Sequence, residues 1–82
     1  MKPTRQQIEE DVKRLAAEQY YGEFSSIECS SKLIEDLGFD SLDCVEFLIN
    51  LEELYSIEIS DEQAESCDTV EDFIKLVESK FQ

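Results

Sequence analysis

The chain has no histidine, two glycines and a single proline in 82 residues. Each shortage excludes something. Without histidine, a serine or cysteine nucleophile lacks its usual general base, so no catalytic residue is assigned and no enzyme is expected. Scarce Gly and Pro argue against a hairpin-rich β protein. Three cysteines, Cys29, Cys44 and Cys67, are odd in number and form no Cys-x-x-Cys pair. They support neither a zinc site nor a disulfide framework and are expected to be reduced structural thiols. No apolar run approaches the ~20 residues of a membrane span. Met1-Lys2-Pro3-Thr4-Arg5 leads into a charged helix instead of an apolar signal segment, so a cytoplasmic chain is expected, or one in an organelle matrix if a transit peptide has been removed.

Basic residues are missing from half the chain. Between Leu33 and Ile74 there is no Lys or Arg, while fourteen of the twenty-one acids lie there. The other seven acids are balanced by the chain's seven bases, so the whole net charge of -14 belongs to that stretch. Such a field repels nucleic acid and anionic lipid and favours basic protein partners.

What is present reads as one small domain spanning 1–82. The 41% hydrophobic content recurs at helical spacing, which separates it from a disordered acidic tail. Thr4 with Gln7 fits a capping box, and Ile8, Val12, Leu15 and Ala16 give one apolar face, predicting a first helix from Arg5 to Gln19 that stops near Gly22. From Gly22 to Asp40 the period is lost. Phe24, Ile27, Leu33, Ile34, Leu37 and Phe39 are scattered there, which suggests a long connection pinned by side chains, with a short helical turn over Lys32 to Leu37. Ile57 and Ile59 read as buried residues of a connecting loop. Ser60-Asp61-Glu62-Gln63 opens a short helix to about Ser66. Thr69 with Asp72 opens the last helix, whose face is Val70, Phe73, Ile74, Val77 and Phe81, with Lys75 and Lys80 suiting its C-terminal dipole. The fold class is all-α: a small four-helix bundle of three longer helices and a short one, with a long first loop.

The second helix, Ser41 to Tyr55, is the most informative. On a helical wheel Cys44, Phe47, Leu48, Leu51, Leu54 and Tyr55 form one broad core arc. Leu42, Val45 and Ile49 form a second, narrow arc beside Ser41, with Asp43, Glu46, Asn50 and Glu53 beyond it and Glu52 on the Ser41 side. A helix needing only burial has no use for that second strip. An apolar strip rimmed by Asp40, Asp43, Glu46, Glu52 and Glu53 has the composition of a docking surface, unless the preceding loop covers it.

That helix is entered through Asp36-Leu37-Gly38-Phe39-Asp40-Ser41-Leu42-Asp43. The acids do not match a calcium loop, so no metal is assigned. Gly38 supplies a turn and Asp40 the N-cap, leaving the Ser41 hydroxyl at the mouth of a helix, where free N–H groups favour an anion such as a phosphate. The stretch resembles the D-L-G-x-D-S-L attachment element of the acyl carrier proteins. The likeness runs on through Val45-Glu46, Leu51-Glu52-Glu53, Ile57-Glu58-Ile59, Asp61-Glu62 and Thr69-Val70, about the last fifty residues.

The resemblance implies a four-helix bundle whose serine, here Ser41, receives 4'-phosphopantetheine from coenzyme A. It implies thioester chemistry on that arm, and acyl chains that fold back between the helices. The implied partners are a phosphopantetheinyl transferase and the acyl-transferring and chain-elongating enzymes of fatty acid or related acyl-chain biosynthesis, whose basic patches would dock on helix two of a monomer. The chain departs from the commonest pattern at Phe39, Cys44, Phe47 and Ser60, and Tyr20 to Ser31 has no match. These departures bear on acyl length and partner set, and lean towards a dedicated carrier. Two alternatives stay open here: a peptidyl or aminoacyl carrier of a biosynthetic cluster, and an unmodified acidic adaptor docking basic proteins through helix two.

Overall fold

The computed structural model describes residues 2–20, 22 and 24–82, with Phe24 described by its backbone. Its helices are α1 (Arg5–Tyr20), α2 (Ser41–Tyr55), α3 (Asp61–Glu65) and α4 (Val70–Ser79), with a single 3-10 turn at Phe24–Ser26. The all-α bundle is as expected from the sequence, and α2 has the expected bounds. Tyr21 and the expected burial of the Phe24 side chain lie outside the described residues.

Local signals start each helix. The Thr4 Oγ1 accepts the Gln7 N–H at 3.0 Å, but the Gln7 side chain donates to Asp11 instead of returning to Thr4, so the predicted box is only half closed. Asp40, Ser60 and Thr69 head α2, α3 and α4 with complete capping boxes. α1 ends at Tyr20, just before Gly22, whose N–H still reaches the Ala17 carbonyl. A Cβ there would clash with the Tyr20 ring. Lys80 is the C-cap of α4, and its ammonium donates to Gln63 at 2.9 Å, tying the chain end to α3.

The core lies where α1 packs on both α2 and α4. Ile8, Val12 and Ala16 of α1 meet Phe47 and Leu51 of α2 and Val70, Phe73, Ile74 and Val77 of α4, all buried. Truncating an aromatic in such a core typically costs ~3–5 kcal/mol, so Phe47 is a principal stabilising residue. Phe81 lies past α4, half-buried, and packs edge-on against Tyr55 with ring centroids 5.8 Å apart. The Tyr55 hydroxyl donates to the buried Asp11 at 2.6 Å; burial, then this hydrogen bond, raises its pKa.

The long first connection is held twice over. Ile27, Leu33, Leu37 and Phe39 drop into the core as expected. The backbone is also sewn to the α3–α4 link: the Leu33 N–H donates to the Asp68 carbonyl, and the N–H groups of Val70 and Glu71 donate to Ser31 and Cys29. Two otherwise unpaired donors of the first turn of α4 are thereby satisfied. Residues 33–37 make the expected helical turn. Ile34 corrects the pinning expectation, because it is 59% exposed. Leu54 is a second correction: the wheel places it in the core arc, but it is 44% exposed, lying at the far end of α2 from Ser41, where α1 begins.

Candidate functional site

Gly38 turns the chain with φ +72°, a conformation side-chain-bearing residues rarely adopt. Phe39 anchors the turn in the core, and the chain reaches Asp40 in extended conformation. The Asp40 carboxylate accepts the Asp43 N–H at 2.8 Å, and the Asp43 carboxylate accepts the Asp40 N–H at 3.1 Å. Between them Ser41, the first residue of α2, is exposed. The N–H groups of Ser41 and Leu42 stay at the open end of the helix, where the dipole favours negative charge.

The second apolar strip is uncovered. Leu42, Val45 and Ile49 are 64%, 50% and 45% exposed, so the preceding loop does not lie over them. Of the predicted rim, Asp40, Glu46 and Glu53 are exposed and Asp43 is half-buried. The Gln19 amide donates to both Asp43, at 3.2 Å, and Glu46, at 3.1 Å, drawing the two carboxylates towards the end of α1. Gln19 was missed from the sequence, because nothing in helix one marks which of its polar residues reaches α2. Glu52 departs from the rim: it is half-buried and accepts the Ile59 N–H at 3.0 Å, fastening the loop after α2.

Beside Ser41 a cavity of about 380 Å³ opens between α2 and α3. Ile34, Ser41, Val45, Asp61, Glu65 and Asp68, all exposed, form its rim; the half-buried Cys44, Leu48, Ala64 and Cys67 its walls; and the buried Leu33 and Phe73 its floor. Composition alone had not located it. The three cysteines are free thiols. Burial, then the charges of Asp43 and Asp40, raises the Cys44 pKa; burial, then Asp72, raises that of Cys67. Cys29 donates to Glu9 at 2.9 Å, and burial followed by that bond pushes its pKa up to about 11. All three are thus protonated at neutral pH and poor nucleophiles.

Residues 10–77 match the phosphopantetheine attachment site family. The chain belongs to it. Among curated relatives, acyl carrier proteins of Sulfurovum sp. (strain NBC37-1) and Wolinella succinogenes are 47% and 43% identical over 70 and 72 residues, covering 85% and 88% of this chain and 93% and 95% of theirs. That of Helicobacter hepaticus is 44% identical over 70 residues, 85% of this chain and 92% of its own. Among solved structures, the acyl carrier protein of Enterococcus faecalis superposes with a TM-score of 0.79 at 28% identity, covering 94% of this chain and 98% of that one. The relatives carry acyl groups by name, and neither the peptidyl carrier nor the unmodified adaptor is favoured. The cofactor of the family is 4'-phosphopantetheine. No helix among the described residues is long and apolar enough to cross a membrane.

Proposed function

We propose that Ser41 is the attachment point of the 4'-phosphopantetheine arm and that this chain carries acyl groups for fatty acid biosynthesis, as a cytoplasmic monomer with no catalytic residue of its own. The observation that carries the assignment is the exposed hydroxyl at the open end of α2, framed by the Asp40–Asp43 capping box and set beside an apolar cavity. These residues fit the group. Ser41 offers an oxygen for a phosphodiester, the helix end favours the phosphate charge, and the cavity matches an apolar chain tethered nearby. When bound, the arm supplies a terminal thiol that holds the acyl group as a thioester.

The chain's own residues do the rest. Asp40 and Asp43 hold the first turn of α2, so Ser41 is presented on a rigid end. Leu42, Val45 and Ile49 offer apolar contact to a transferase or acyl-handling enzyme, while Asp43, Glu46 and Glu53 steer its basic patch. Glu52 contributes by fixing the end of α2. Tethering replaces free diffusion of a thioester by delivery at an effective concentration of about millimolar, as short flexible linkers give.

Incubating the chain with coenzyme A and a phosphopantetheinyl transferase, then mapping the added group by peptide mass, tests this. Modification is expected on the peptide containing Ser41. Modification elsewhere, or undiminished modification of Ser41→Ala, refutes the assignment.

A further inference from the structure

The cavity beside Ser41 has a graded wall. Its rim is exposed, its sides are half-buried, and inward it ends on two buried residues, Leu33 and Phe73. Among the described residues, Phe73 is the sole aromatic lining the cavity and the sole contribution of α4. Its ring packs edge-on against Phe47, with centroids 5.3 Å apart at 85°. Phe47 is fully buried and packs in turn against Phe39, 6.0 Å away at 71°. Phe39 belongs to the turn that delivers Ser41. The floor is thus braced by three rings from three segments, and close-packed interiors of this kind yield poorly to extra volume.

We propose that Phe73 is the stop that sets how long an acyl chain this carrier shelters. The inference rests on the reading of Ser41 as the attachment point and deepens it to a substrate class: chains ending short of the Phe73 ring are buried whole. A longer chain has two routes. It displaces a ring clamped by Phe47, or it leaves its end in water. Leu33 does not play the same part, because its backbone is tied to Asp68 and its side chain is one of several aliphatic surfaces the chain slides along. The walls favour sliding as well: Cys44 and Cys67 are held as neutral thiols beside nearby acids, so they present small apolar surfaces to the cargo.

The test loads the protein, through a transferase, with acyl-coenzyme A donors of increasing saturated length, and follows the melting temperature of each product. Intact mass first establishes loading, so failure to load counts against Ser41 itself and not against Phe73. Each added methylene that becomes buried stabilises the fold, so the melting temperature should climb with length and then level off. In Phe73→Leu the levelling should come at a longer chain, by about one or two carbons, since leucine is both smaller and shorter than the ring it replaces. Val77→Ala, a core change away from the cavity, should lower every melting temperature and leave the levelling point where it was. The same levelling point in wild type and a folded Phe73→Leu protein overturns the proposal, as does a wild-type series with no dependence on length. If Phe73→Leu fails to fold, the wild-type protein decides: a ¹³C-labelled terminal methyl on the levelling-length chain should show through-space contacts to the Phe73 ring protons, and contacts confined to rim residues such as Val45 overturn it.

Discussion

Asp40 and Asp43 exchange hydrogen bonds across Ser41: each carboxylate accepts the other's backbone N–H, at 2.8 and 3.1 Å. Two acids of the proposed docking rim are therefore part of the helix start, and their structural and electrostatic roles are separable by substitution. Asp40→Ala removes the cap and should cost ~0.5–2 kcal/mol. Asp40→Asn keeps a capping oxygen and should stay near wild-type stability while slowing association with a basic transferase at low salt. Chemical denaturation and stopped-flow association read the two effects. Equal stability losses for Ala and Asn would contradict the separation.

Gln19 occupies the gap between Asp43 and Glu46 with a neutral amide. A cation in that place satisfies both carboxylates from within and removes them from the field seen by a partner. Gln19→Lys should therefore weaken binding to a basic partner by about tenfold, in the range for one strong charge pair, while Gln19→Ala changes it far less. Titration calorimetry at low and moderate salt checks this. The difference between the variants should shrink as salt rises.

The C-cap of α2 is Ser56, at φ 54° and ψ 47°. A left-handed residue with a Cβ costs roughly 1–2 kcal/mol, partly returned if Gly replaces it. Ser56→Gly should raise stability by up to about 1 kcal/mol, visible as a few degrees in melting temperature. A fall would mean that the Ser56 side chain contributes more than its backbone strain costs.

Asp72 accepts backbone N–H groups of Thr69 and Asp68, and these bonds lower its pKa below the usual 3.8. Because the folded value is the lower one, its contribution is fully present above the unfolded pKa and is lost as pH falls from there through the folded value. Asp72→Asn should therefore be less stable than wild type at neutral pH and approach it in acid. Parallel stability curves across that window would show that Asp72 is not one of the acid-sensitive groups.

The sequence disclosed the elements governed by short-range rules. The capping residues Asp40, Ser60 and Thr69 and the bounds of α2 follow from side chains reaching N–H groups three residues away. The Leu42, Val45 and Ile49 strip follows from the wheel. Contacts between distant segments were hidden. Nothing local shows that Ser31 and Cys29 would receive the N–H groups of α4, that Gln19 would reach α2, or that Glu52 would turn to the Ile59 N–H. Leu54 was misassigned because a wheel gives direction but not where the neighbouring helix ends. The cavity was implied only through family resemblance, since its lining comes from the first loop, α2, α3 with the link after it, and α4.

The most direct measurement is the intact mass of the protein isolated from its own host, beside Ser41→Ala isolated in the same way. The account predicts that the wild-type protein carries the mass of one 4'-phosphopantetheine group, with or without an acyl chain, and that the variant carries none. An unmodified wild-type protein, or an arm that persists on Ser41→Ala, would contradict it.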